Sequence, residues 1–393
     1  MWMQKYRTVA IEEMFRWSKK SFLWEFPCEE RSRNFRRRRT CTVHVRNFSS
    51  EVNLLSKKEH EEFSSFFPEV VNTLIDVEPW IRNEESRERL KDVLEHNVNF
   101  WTNSRGVGTV SAYKALEKRE NITKKNIELA NILGWCARLY EASLIIQDDI
   151  IDASETRGNV LCWYKNKDIG LNIAIVDAIY LNAGIFWILR KYFSASPQYL
   201  ALLEIFHDLN FGGALSQRME LMPCNLNNFC MEHYKSLAQE KGSLAFTFIF
   251  MAMTLANYPE ELHERIRPIL KELGLFYQIQ NDYIDFFGDP ETTGKIGTDI
   301  RKGALTWLAV KALEKADRAQ RAKLEDNYGK IEPHSIQIIG DLYNEMNLQK
   351  EYKKCEMEMY RSIYLQIMEL PKELNLSFFL AVLDALIKGK WLT

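Results

Sequence analysis

Residues 140–158 read YEASLIIQDDIIDASETRG, an apolar run that ends in three carboxylates, Asp148, Asp149 and Asp152, then Arg157 and Gly158. The apolar half has the i, i+3, i+4 spacing of a helix. On that helix Asp148 and Asp152 share a face, and Asp149 is turned away by about 100°. Two carboxylates ~6 Å apart repel by roughly 3 kcal/mol at an effective dielectric of ~20, so the pair calls for a cation. A hard dication such as Mg²⁺ is bound in this way, by one or two carboxylates and the oxygens of a phosphate. The acids do not alternate and no glutamate follows at the right distance, which excludes an EF-hand. Alone, the cluster reads equally well as a solvated acidic helix end.

A second cluster changes that balance. Residues 278–289, QIQNDYIDFFGD, place Asn281 and Asp285 four apart on another helix, with Asp282 beside them. Gly288 and Pro290 should end that helix, which makes Asp289 a poorer ligand. Downstream, GKIG (294–297) sets Lys295 in a loop where it could close over an anion, and Lys241 heads the apolar segment 244–256. Two carboxylate helices with cations nearby imply a Mg²⁺–diphosphate site in a helical cavity.

Outward from these motifs, helical spacing recurs in 60–77, 84–97, 123–152, 171–193, 198–221, 232–256, 260–287, 304–316 and 335–369. No strand alternation persists. The 17 glycines and 10 prolines among 393 residues favour long helices over a turn-rich β protein. The expected fold is one all-α domain over residues 57–393, behind a basic extension at 1–56. Residues 1–50 hold twelve Lys/Arg and five Asp/Glu. They read as a transit peptide, weakened by Glu12, Glu13, Glu25, Glu29 and Glu30, or as a disordered tail. The remaining chain is acidic, which argues against nucleic acid as a partner. Seven scattered cysteines without a CxxC suit reduced thiols inside a cell, in the cytoplasm or a mitochondrion. No membrane span is expected, because the best apolar run, LAFTFIFMAMTLA (244–256), is too short.

DDIIDASETRGNVLCWY (148–164) resembles the first aspartate-rich region of the farnesyl diphosphate synthase family of trans-prenyltransferases, DDxxDxxxxRRGxxxWY. YQIQNDYIDFFGDPETTGKIGTDI (277–300) is similar to the second, FQxQDDYLDxxGDPxxTGKxGTDI. The matches cover nearly all of residues 57–385. The resemblance implies a single bundle of long helices around a deep apolar cavity, a homodimer, and a prenyl diphosphate substrate gripped by Mg²⁺, three ions in all. It assigns metal to Asp148 and Asp152 on one side and to Asn281 and Asp285 on the other, with Asp149 and Asp282 in support. Arg157, Lys241 and Lys295 match the cations that draw off the diphosphate, and Gln278 a polar residue beside it.

The departures point elsewhere. The family's isopentenyl diphosphate site begins NVPGGKxxRG, and the aligned residues are NVNFWTNSRG (97–106). Arg105 and Gly106 remain, but Phe100 and Trp101 replace the glycines and Thr102 the lysine. Gly158 stands where the second arginine of the first motif would be, and Ala304 where the family has a lysine, with Lys302 close by. Such charge-assisted contacts are worth roughly 1.5–3 kcal/mol each. With the allylic half kept and the isopentenyl half dismantled, the chain resembles the terpene synthases that insects have recruited from this family. That implies ionisation of farnesyl diphosphate to a cyclic sesquiterpene, the alternative being an ordinary farnesyl or geranyl diphosphate synthase. Ser143 and Leu144 stand where family aromatics floor the pocket, Ala245 replaces a tyrosine and Gly242 a threonine, all of which should enlarge the cavity. Phe211, Phe246 and Tyr277 are candidates to stabilise a carbocation.

Overall fold

The computed structural model describes residues 23–27, 40–44, 54–77, 83–99, 103–158, 160–221, 225–289 and 297–389. The chain divides into two compact units, Met1–Glu51 and Val52–Thr393. In the first, Leu23–Pro27 (β1) pairs antiparallel with Thr40–His44 (β2), Leu23 opposite His44 and Pro27 opposite Thr40. The sequence reading placed no strand here. Both segments are rich in the aromatic and β-branched residues that suit a pleated surface.

The second unit is a helical bundle, as expected. It begins with α1 (Lys57–Ser64), α2 (Phe67–Ile75), α3 (Glu84–Asn97), α4 (Ser104–Leu116) and the long α5 (Lys124–Ile151). A two-residue strand pair follows, β3 (Thr156–Arg157) and β4 (Val160–Leu161). Next come α6 (Gly170–Phe193), α7 (Tyr199–Glu220), α8 (Met231–Ser243), α9 (Thr247–Leu255) and the long α10 (Glu260–Phe287). The rest is α11 (Asp299–Lys302), α12 (Trp307–Lys315), α13 (Arg318–Asn327), α14 (Pro333–Glu345), α15 (Leu348–Met368) and α16 (Leu376–Ile387).

Three segments that read as single helices are broken. Pro68 opens a new helix within 60–77, a 3₁₀ turn at Leu244–Phe246 divides 232–256, and Asn347, at φ 54°, separates α14 from α15. The sequence reading missed α4, α13 and α16. Helices α4 and α16 are buried on most faces, so no polar stripe marks their period.

α5 forms the axis of the core. Residues Ala130–Tyr140 are all buried, and the Trp135 ring stacks on Phe63 at 4.3 Å while its Nε1–H donates to the Phe63 carbonyl at 3.2 Å. Two glycine contacts bring other helices in close. A Cβ on Gly134 would lie 2.6 Å from the Gly106 carbonyl oxygen, so α4 and α5 meet backbone to backbone. A Cβ on Gly242 would lie 2.0 Å from the Gly274 carbonyl oxygen, which locks α8 to α10.

Two helices, α5 and α6, are long and apolar enough to cross a membrane by length and composition alone, a test that the core helices of a bundle also pass, so the expectation of no span is not overturned. α5 is mostly buried inside the bundle, whereas only a third of the apolar window of α6 is. Ile175, Val176 and Ile179 lie exposed on it.

Candidate active site

The first acidic cluster sits where α5 ends. Thr123 caps the helix by accepting the Asn126 N–H at 3.2 Å, and at the far end the Asp152 N–H still reaches the Asp148 carbonyl at 2.8 Å. The helical turn therefore carries through Asp152, and Asp148 and Asp152 keep a common face. Ala153, at φ 51°, turns the chain out of the helix into the β3–β4 hairpin. Gly158 occupies the hairpin turn at φ 55°, so the position of the missing arginine is one where the backbone favours glycine.

That hairpin returns Arg157 to the helix end. Its Nη2 lies 2.9 Å from Asp148 Oδ2 and 2.6 Å from Asp149 Oδ1, and its Nε–H donates to the same Asp149 oxygen at 2.8 Å. Burial pushes the Asp149 carboxyl above its ordinary range, against the pull of Arg157. Asp149 is 4% exposed, so it anchors Arg157 and faces inward. Lys302 Nζ meets Asp152 Oδ1 at 2.5 Å, and Gln217 Nε2 donates to Asp148 Oδ1 at 3.3 Å.

The second cluster ends α10. Asp282 is buried, and its carboxylate accepts the Trp307 N–H at 2.8 Å, the Tyr234 hydroxyl at 2.7 Å and Gln278 Nε2–H at 2.8 Å. Asp285 accepts the N–H groups of Thr298 and Asp299, each at 3.0 Å. A Cβ on Gly297 would lie 2.0 Å from the Asp285 carbonyl oxygen, so only glycine lets this chain segment seat there. Asn281 is half-buried one turn earlier.

Lys241 joins the two clusters. Its ammonium pairs with Glu220 at the end of α7. Burial opposes its charge, but Glu220, then Asp148 and Asp282, raise its pKa above the usual lysine value. One ammonium thus feels a carboxylate from each cluster, so the acidic ends of α5 and α10 both lie within electrostatic range of it.

Burial also lifts Asp282, to about 6, despite its three donors and Lys241. Because the folded value lies above the unfolded one, the folded state binds the proton more tightly between about pH 4 and 6. Asp282 should therefore subtract stability as pH rises through that window. In EDTA, Asp282→Asn should flatten the fall in Tm between pH 4.5 and 7. Equal slopes for variant and parent would contradict this.

Arg105, at the start of α4, forms an ion pair with Glu141 of α5, Nη1 to Oε1 2.8 Å. The other Glu141 oxygen binds the fully buried Arg138. Tyr277 sits against Arg105 and meets Phe246 edge-on, with ring centroids 6.1 Å apart. Ser143 is buried and accepts a hydrogen bond from Gln147 at 3.2 Å, Ala245 is buried, and Leu144 packs where a Cβ on Gly213 would be 3.4 Å from it. Two cavity expectations are corrected. Phe211 is 74% exposed on the outer face of α7 and lines no interior. Gly242 leaves no room for a ligand, because the space beside it is filled by Gly274. An apolar pocket of about 600 Å³ lies between α5 and α6, lined by Gln147, Ile150, Ile175 and Ile179 but by none of the expected cavity residues. Phe100, Trp101, Thr102 and Lys295 lie outside the described residues.

Glu141, Arg138, Tyr234, Glu220 and Gln217 escaped the sequence reading. Glu141 carried one signal: it is a lone carboxylate seven residues before Asp148 on the same helix. Among the described residues no three His, Cys, Asp or Glu side chains converge as a ready metal cage.

The polyprenyl synthetase family model matches residues 87–346, which spans both acidic clusters. The chain belongs to the polyprenyl synthetase family. It is an enzyme of the trans-isoprenyl diphosphate synthase type. The farnesyl pyrophosphate synthase of Gallus gallus is 35% identical over 349 residues, covering 84% of this chain and 93% of the relative. That of Nezara viridula is 33% identical over 335 residues, 84% of this chain and 82% of the relative. A bifunctional chrysanthemol synthase of Tanacetum cinerariifolium, a chloroplastic enzyme, is 31% identical over 351 residues, 87% and 88% respectively. For a polyprenyl synthetase, a prenyl diphosphate is the consistent substrate.

Proposed function

We propose that this enzyme ionises farnesyl diphosphate and releases a sesquiterpene without adding a five-carbon unit. The observation that carries the reading is an asymmetry. Both acidic helix ends are kept and lie within electrostatic range of Lys241, whereas the segment 97–106 reads NVNFWTNSRG, without the glycine pair and lysine of an isopentenyl diphosphate site.

Asp148 and Asp152 suit Mg²⁺. They are hard oxygen donors on one face, and each already attracts a cation, Arg157 or Lys302. Asp285, and Asn281 one turn before it, would hold metal on the opposing helix. Bound Mg²⁺, three ions on the family pattern, would neutralise the diphosphate and let the allylic C–O bond break. Asp149 and Asp282 stay buried and orient their neighbours, Arg157 through two hydrogen bonds and Gln278 through one. Lys241 and Arg157 present cations to the departing diphosphate, and Lys295 would add a third. The allylic cation then loses a proton, captures water or is attacked by its own double bonds. Phe246 and Tyr277, edge to face, offer π-density beside it.

A second reading, chain elongation with isopentenyl diphosphate, is favoured by the names of the relatives, which are mostly farnesyl pyrophosphate synthases. The chrysanthemol synthase among them leaves room for the first. The test is incubation with Mg²⁺ and geranyl, trans-farnesyl or cis,trans-farnesyl diphosphate, followed by volatile analysis. A hydrocarbon or alcohol well above the uncatalysed background is expected from trans-farnesyl diphosphate. No product from any of the three would overturn the proposal.

We also propose a homodimer. The exposed Ile175, Val176 and Ile179 of α6 and Phe211 and Leu215 of α7 make an apolar surface of the kind a second copy buries. Ile179→Lys should shift the sedimenting species from dimer to monomer, and a monomeric parent that floats with liposomes would point to a membrane instead. The basic extension and scattered thiols are consistent with a cytoplasmic or mitochondrial location, to be read from N-terminal sequencing of the native protein and its fractionation.

A further inference from the structure

We infer that Glu141 is an internal counter-ion that occupies Arg105 and so closes the acceptor half of the site. The inference rests on the reading above and names the residue that enforces it. Arg105 is the cation that the resemblance assigns to the isopentenyl diphosphate site. In the structure its guanidinium meets Glu141 Oε1 at 2.8 Å, with the two side chains only 25% and 17% exposed. An incoming diphosphate would have to displace a carboxylate that is already in place and already largely desolvated.

The same carboxylate is held from behind. Its second oxygen binds Arg138, whose side chain is 1% exposed, and Arg138 Nη2 donates to the Val98 carbonyl at 3.0 Å. Val98 and Arg105 are thus both tied to one ion cluster on α5. Arg138 itself cannot swing away easily. A Cβ on the adjacent Gly106 would lie 3.0 Å from Arg138 Cγ and 2.3 Å from Phe63, which shows how tightly its stem is enclosed. Removing one partner of a buried pair strands the other charge, so Glu141 is tied to Arg138 as firmly as to Arg105. Burial alone would raise the Glu141 carboxyl, yet Arg105 and Arg138 hold it below its usual value, so it is ionised at neutral pH.

Glu141 therefore acts as a specificity residue for the acceptor. An anion at Arg105 faces a fixed negative charge already held 2.8 Å from the guanidinium. Neutralising that charge should expose Arg105 to an incoming diphosphate. A charge-assisted hydrogen bond corresponds to roughly 10- to 100-fold in affinity.

The test measures isopentenyl diphosphate binding to the full chain by calorimetry in EDTA, where the metal-dependent allylic half is silent. The chains compared are the parent, Glu141→Gln, and Glu141→Gln with Arg105→Met. A fourth chain, Arg138→Met/Glu141→Gln, guards against misfolding, since removing both charges of a buried pair together leaves neither stranded. The expected result is a gain of ~10-fold or more on neutralising Glu141, abolished by Arg105→Met. Folded Glu141→Gln and Arg138→Met/Glu141→Gln chains that bind no tighter than the parent would overturn the inference. If the parent already binds and elongates with isopentenyl diphosphate, the sesquiterpene reading fails. A tenfold gain on top of that binding would still support Glu141 as the gate, and no gain would sink both.

Discussion

Asp285→Ala should cut Mg²⁺-dependent release of diphosphate from farnesyl diphosphate by about 10³-fold, equivalent to ~4 kcal/mol of lost transition-state stabilisation. Two roles converge on this carboxylate. It is the acidic side chain at the solvent-facing end of α10 best placed to take metal, and it accepts the N–H groups of Thr298 and Asp299 at 3.0 Å. The second role fastens Thr298 and Asp299 to the end of α10. Asp285→Asn separates them, because an amide oxygen still accepts an N–H but is a far weaker ligand for a hard dication. Equal losses for Ala and Asn identify metal binding as the essential role. Near-normal activity in the Asn variant would show that fastening Thr298 and Asp299 is what matters.

Gly242→Ala should destabilise the fold by about 3 kcal/mol or more, because the added methyl would sit 2.0 Å from a backbone oxygen of α10 that has nowhere to go. The relief is to move α8 outward, and α8 carries Lys241, which lies within electrostatic range of both acidic clusters. Tm should fall by several degrees. Any folded fraction should lose kcat as the ammonium is drawn away. An unchanged Tm would mean that the helices do not meet at Gly242 and Gly274. The same contact explains why a small residue here does not enlarge the cavity: it was small to admit a helix.

The sequence made the acidic clusters legible because their chemistry is periodic. Asp148 and Asp152, and likewise Asn281 and Asp285, are four apart at the ends of long helices. The long helices α5 and α10 were visible for the same reason. What stayed hidden depended on partners distant in sequence. Lys302 reaches back 150 residues to Asp152, and Tyr234 reaches 48 residues to Asp282. Arg105 read as a remnant of the isopentenyl diphosphate site because Glu141, which pairs with it, lies 36 residues away on another helix. Phe211 read as interior because an apolar residue on an apolar helix has no mark of which face looks outward. Helix α4 was missed for the opposite reason: its small residues are buried all round, so no polar face betrays its period.

The central claim is that the allylic cation made here is consumed within its own molecule. The most direct test supplies Mg²⁺, unlabelled farnesyl diphosphate and ¹⁴C-labelled isopentenyl diphosphate together, and follows the label and the volatiles in one reaction. The account predicts a C15 product whose rate does not change with isopentenyl diphosphate, and label that stays in the five-carbon fraction. Label appearing in a longer prenyl diphosphate, faster than any C15 volatile forms, would contradict it.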